Sequence, residues 1–150
     1  MRIVVGSDES TELTDSIIRE LEQRGHQVEA VGPPAGQPLQ WVDVAQAVAQ
    51  RIANGQADEG VLCCWTGTGV SIAANKVAGV RAALCADPET ARGARAWNQA
   101  NVLCLSLRNT SVPLGKEIID AWLSGQPDPS ETTNVEKLIA LDRSARGESP

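Results

Sequence analysis

Five short apolar runs punctuate the chain, at residues 2–5, 27–31, 61–64, 80–85 and 102–107. None alternates cleanly between apolar and polar positions, which is how strands buried on both faces of a parallel sheet read. Between the runs the apolar spacing becomes helical. Leu13, Ile17, Ile18 and Leu21 fall on one stripe, and Gly25 stands where a helix C-cap belongs. Val44, Val48 and Ile52 are four apart in a segment from about residue 43 to residue 53, which Gly55 closes. Asp87 reads as an N-cap with Pro88 at the first helical position. Ile118, Ile119, Trp122 and Leu123 mark a further helix that stops at Gly125. A Pro-rich break, "QPDPS" at 126–130, precedes a last helix signalled by Val135, Leu138, Ile139 and Leu141.

Strand then helix, repeated, requires right-handed crossovers and a sheet covered on both faces. The expected fold is α/β: a three-layer α/β/α sandwich of Rossmann-like type with a five-stranded parallel sheet. Residues 1–125 form the domain, and 126–150 a linker and C-terminal helix. By sequence that helix can pack on its own domain or on a partner subunit. A length of 150 residues suits one domain with a core of its own. With no Phe or Tyr, that core must be built from aliphatic side chains and the four Trp.

Charge and cysteine usage narrow the partners. The net charge of −6 argues against nucleic acid and anionic membrane surfaces, which want a basic face. No apolar run approaches the ~20 residues of a membrane span. The start, "MRIVVGSDES", lacks the basic and long apolar regions of a signal peptide, so a cytoplasmic location is expected. There the four cysteines would be free thiols. His26 is the only histidine and no C-x-x-C pair exists, so no zinc site is expected; no cofactor is expected either.

In such sheets ligands meet the carboxyl ends of the strands. Three segments place polar or Gly-rich chemistry there: 6–9, 64–71 and 107–111. The stretch "TGTGVSIAANK" (66–76) follows the third apolar run. Gly67 and Gly69 let the backbone turn tightly and aim successive N–H groups inward, and a helix start adds partial positive charge, which makes an anion cradle. It is not the dinucleotide fingerprint, since Ile72 occupies the place of the third glycine, nor a Walker A loop. Gly-rich turns after strands are also common without any ligand. Cys64 stands just ahead. A thiol near inward N–H groups favours its thiolate and can shuttle a proton, while those groups stabilise charge on a neighbouring oxygen. An enediolate intermediate needs that pairing. The competing reading makes Cys63 and Cys64 both core fillers, and strand alternation lets at most one face the loop.

At these residues the chain resembles the type B ribose-5-phosphate isomerases and the related galactose-6-phosphate isomerase subunits. The likeness is densest over 60–107, in "C-x-T-G-x-G-x-S-I-A-A-N-K" followed by "G-V-R-A-A-L-C", and thins out from Met1 to about Leu123. It implies a homodimeric or tetrameric α/β/α protein that interconverts aldoses and ketoses, as sugars or sugar phosphates, through a cis-enediolate without metal. By that resemblance Cys64 falls on the catalytic base and Thr66 on the hydroxyl that moves protons between sugar oxygens. Gly67, Thr68, Gly69, Val70 and Ser71 match the anion hole. Asp8 matches a carboxylate that holds sugar hydroxyls, Asn98 a substrate-contacting Asn, and Arg108 a phosphate-side Arg. Some members carry a Glu base where Ser71 stands, so Cys64 with Ser71 selects the cysteine type.

The departures point away from ribose 5-phosphate. Trp65 replaces a glycine in "C-G-T-G", and Trp97 replaces the ring-opening His, in "WNQAN". Glu9 takes the place of another His, and "DPSETTNVEKL" supplies none of the Arg of the usual phosphate clamp. Each lost charge-assisted bond to a phosphate dianion costs ~1.5–3 kcal/mol. Trp65 and Trp97 offer stacking faces to a less polar ligand, although Trp97 can equally be a packing residue of its helix. The leading expectation is an isomerase with a changed substrate. The rival is a catalytically incomplete subunit or sugar-binding module that needs a second family member.

Overall fold

A computed structural model describes residues 1–147 and shows five parallel strands in the order β2-β1-β3-β5-β4. They are β1 (Arg2–Ser7), β2 (Gln27–Val31), β3 (Glu59–Cys64), β4 (Ala82–Leu84) and β5 (Val102–Ser106). Around them run α1 (Glu12–Gln23), α2 (Trp41–Ala53), α3 (Thr68–Ala74), α4 (Pro88–Asn98), α5 (Val112–Ser124) and α6 (Thr132–Ala145). The α/β/α expectation holds. One face of the sheet packs Ile3, Val5, Cys63 and Leu105 against α1, α4 and α5, with Trp122 buried among them. The other packs Val4, Leu62, Cys64 and Cys104 against α2 and α3. Among the described residues no helix is long and apolar enough to cross a membrane.

The central strands β1, β3 and β5 carry the continuous burial that an unbroken apolar run implies, whereas the edges do not. β4 covers three residues instead of the expected 80–85. Side chains take over the backbone groups around it: Arg81 N–H donates to Asn101 Oδ1 at 2.8 Å. The Asn75 amide donates to the Ala82 carbonyl at 2.9 Å and accepts its N–H at 2.8 Å. A side-chain amide thus covers part of an exposed sheet edge. β3 in turn starts at Glu59, ahead of the apolar run, because that carboxylate is paired indoors. Glu59 accepts from Trp122 Nε1 at 2.7 Å and meets Arg95 Nη2 at 2.7 Å.

β1 leads through α1 to β2 on one side, and β3 leads to β4 and β5 on the other. The reversal leaves a crevice at the carboxyl ends of β1 and β3, the place where open α/β sheets bind ligands. The C-terminal helix α6 touches its own domain through Asp142, whose Oδ2 accepts the Gly79 N–H at 2.8 Å. Only Val135 of α6 is buried; Leu138, Ile139 and Leu141 are exposed.

Candidate active site

Alternation along β3 separates the two adjacent thiols. Cys63 lies in the α1/α5-side core with no exposure, and burial pushes its thiol up to about 12, so it remains protonated. Cys64 faces the α2/α3 side at the strand's carboxyl end, 6% exposed, and lines an open depression of about 240 Å³. The turn that follows it is stapled to the turn after β5. Leu107 N–H donates to the Cys64 carbonyl at 2.9 Å. The Trp65 carbonyl accepts both Ser106 Oγ, at 2.9 Å, and Arg108 N–H, at 3.1 Å. Two bonds on one carbonyl fix the peptide plane between Trp65 and Thr66.

Gly67 then takes a left-handed conformation, φ 76°, that side chains rarely adopt. A Cβ there would also lie 2.6 Å from Leu84 Cδ1. The N–H of Ser71 is already given to the Gly67 carbonyl, at 3.3 Å. Among the described residues nothing accepts from the N–H groups of Gly67, Thr68, Gly69 or Val70. Of the expected cradle of 67–71 the first four residues keep their N–H groups free, as the N-cap (Gly67) and first turn (Thr68, Gly69 and Val70) of α3. Val70 contributes backbone alone, for its side chain is wholly buried.

The depression is lined by Asp8, Trp41, Cys64, Trp65, Thr66, Thr68 and Gly69. Asp8 follows β1 directly. Its Oδ1 is buried and meets no donor, and burial raises the carboxyl above the ordinary aspartate range. A carboxyl group and a thiol lining one depression suit a polyhydroxy ligand. Thr66 Oγ1 and Thr68 Oγ1 are 2.7 Å apart. Trp65, one of the lining residues, is 58% exposed, and the Arg108 guanidinium carbon lies 6.0 Å from its ring centroid. Trp41 is the wall that the sequence reading missed. It opens α2, two residues before the expected start, and only the fold carries it to Gly69. The helical pattern of Val44, Val48 and Ile52 gave no signal for it.

Several expected residues lie elsewhere in the chain. Glu9 is exposed and does not line the depression; its N–H donates to Ser7 Oγ at 3.2 Å. Trp97 and Asn98 end α4 and line a second depression, of about 350 Å³, with Leu84 and Thr90. The two depressions share no lining residue. The Trp97 ring packs over Gly93 of its own helix, where a Cβ would meet it at 2.7 Å. One chain therefore does not bring Trp97 and Asn98 to Cys64.

The family model described as ribose/galactose isomerase matches residues 3–138. Ribose-5-phosphate isomerase B of Escherichia coli is 37% identical over 132 residues, covering 87% of this chain and 89% of that protein. A D-erythrulose-4-phosphate isomerase of Pectobacterium atrosepticum is 39% identical over 128 residues, 84% of each chain. The structure of Clostridium thermocellum ribose-5-phosphate isomerase B superposes with a TM-score of 0.90 at 34% identity, covering 97% of this chain and 99% of that one. The chain belongs to the ribose/galactose isomerase family, whose named relatives are sugar-phosphate isomerases.

Proposed function

We propose that this protein is an aldose–ketose isomerase that works through a cis-enediolate, with Cys64 as the base, on a substrate other than ribose 5-phosphate. The observation that carries the reading is the position of Cys64: it ends β3 in a depression that Asp8 and Thr66 also line. Asp8 accepts a sugar hydroxyl. The Cys64 thiolate takes the proton from C2, and the free N–H groups of Gly67, Thr68, Gly69 and Val70 bear the charge that develops on the sugar oxygens. Thr66 moves the proton between those oxygens.

Substrate choice follows from Trp65 and Arg108. The indole in the lining takes room that a long sugar would need, and Arg108 beside it is the cation that a phosphate would meet. A short sugar phosphate, such as the four-carbon substrate named for the Pectobacterium relative, fits these features better than a pentose phosphate. The partner is a second copy of the chain. Ile72, Leu84, Trp97, Leu138, Ile139 and Leu141 are exposed apolar residues that association would cover. Such a copy could also bring its Trp97 and Asn98 to the Cys64 depression, which one chain alone does not do.

The test is a panel of tetrose, pentose and hexose sugars and their phosphates, incubated in deuterated water. Deuterium entering the carbon next to the carbonyl, fastest with a substrate other than ribose 5-phosphate and absent in Cys64→Ala, is the expected result. Ribose 5-phosphate as the best substrate overturns the specificity reading, and undiminished exchange in Cys64→Ala overturns the base.

A further inference from the structure

The hydroxyls of Thr66 and Thr68 meet at 2.7 Å, in a bond where either oxygen could donate. Both residues line the Cys64 depression. The cradle uses only the backbone N–H of residue 68 and leaves its hydroxyl without a task. A hydroxyl that accepts a hydrogen bond keeps its own hydrogen free, and bonds in a chain polarise one another, so it becomes the better donor.

We propose that Thr68 is the positioning residue for Thr66: its hydroxyl donates to Thr66 Oγ1 and turns the Thr66 hydrogen toward the sugar oxygens. This rests on the role given to Thr66 above. Once Cys64 has taken the C2 proton, the negative charge sits on O1 and O2 still carries its hydrogen. Thr66 gives its hydrogen to O1 and receives that of O2, so Oγ1–H and O2–H break while O1–H and a new Oγ1–H form. The charge has then moved to O2. Its electron pair closes the C2 carbonyl as Cys64 returns the proton to C1. During the exchange Thr66 Oγ1 passes through partial alkoxide character, and a bond donated to a charged oxygen is stronger than one to a neutral oxygen. Thr68 therefore acts most in the transition state. The branched Cβ of each threonine limits its rotamers, which keeps the two oxygens facing each other.

The test separates carbon chemistry from oxygen chemistry. D-erythrulose 4-phosphate, D-ribose 5-phosphate and D-galactose 6-phosphate serve as probes in deuterated water. Two rates are followed: deuterium entry at carbon in the recovered starting sugar, and conversion to the isomer. Thr68→Val removes the hydroxyl at nearly constant volume and is expected to lower kcat for conversion about tenfold, the worth of one hydrogen bond made mainly in the transition state. KM and carbon exchange stay near their original values, and Thr68→Ser restores conversion. Unchanged kcat in Thr68→Val overturns the proposal. So does an equal loss of exchange and conversion, which means general damage to the turn. Absence of carbon exchange in the unaltered protein with every probe overturns the Cys64 and Thr66 assignments, and this proposal with them.

Discussion

The Trp41 indole occupies the space that a side chain at residue 69 would need: a Cβ on Gly69 would lie 2.9 Å from Trp41 Cε3. The helix that opens with Trp41 and the turn that follows β3 are thereby held at a spacing only glycine permits. Gly69→Ala is expected to cost ~1–3 kcal/mol by overpacking and to slow any turnover at Cys64. Adding Trp41→Ala removes the clash, so the double variant should be more stable than the sum of the two single losses. Strictly additive losses in urea unfolding would mean that the ring and the turn do not press on each other.

The adjacent thiols predict opposite outcomes. Cys64→Ala should abolish carbon exchange, a loss of at least ~100-fold for a proton-transfer group, with the fold intact. Cys63→Ala should leave exchange in place and cost ~1 kcal/mol as a small core truncation. Thermal melts and the deuterium assay on both variants check the assignment, and a reversed pattern would refute it.

Asp8 gives a pH dependence. Burial raises its carboxyl in the folded chain, so the ionised form costs the fold some stability. The folded protein holds this proton more tightly than the unfolded one, and stability therefore falls as pH rises through the window from the unfolded value up to the folded one. Asp8→Asn should be more stable than the unaltered chain at neutral pH. The advantage should vanish below the unfolded aspartate value of ~3.9. Melting temperatures measured across acid and neutral pH decide it; an equal advantage at every pH rules out the charge as its source.

Glu59 predicts stability without function. Its carboxylate is buried with Trp122 Nε1 and Arg95 Nη2, each at 2.7 Å, at the start of the strand that ends in Cys64. Glu59→Ala leaves the mostly buried Arg95 without its counter-charge and should cost ~3 kcal/mol. At ~3.3 Å per residue the strand puts the change more than ~15 Å from the thiol, so KM for a turned-over sugar should not move. A raised KM with unchanged stability would contradict this division of labour.

Much of this protein was legible in its pattern. The runs at 2–5, 27–31, 61–64 and 102–107 sit inside observed strands or overrun one by a single residue, because a strand covered on both faces must be apolar throughout. Asp87 caps α4 as its type and the following Pro88 imply, accepting the Thr90 N–H at 2.7 Å. Where the reading slipped, a side chain had changed the local rule. Asn101 takes the Arg81 N–H just ahead of the short β4, and Asn75 covers the outer edge of Ala82 within it. Arg95 and Trp122 let a charged residue open β3.

The sequence alone determined the layer architecture and the alternation that lets only one of Cys63 and Cys64 face the loop, and it pointed to the carboxyl end of the sheet for ligands, since these follow from local spacing and chain direction. The resemblance pointed to Cys64, and the tertiary structure puts Cys64 on the side of the depression and Cys63 in the opposite core. It also brought Trp41 to Gly69, left Asp8 Oδ1 without a donor, joined the Thr66 and Thr68 hydroxyls, and kept Trp97 and Asn98 in a separate depression. Those are relations between positions tens of residues apart, or between side-chain directions within one turn, and no periodicity along a chain encodes them.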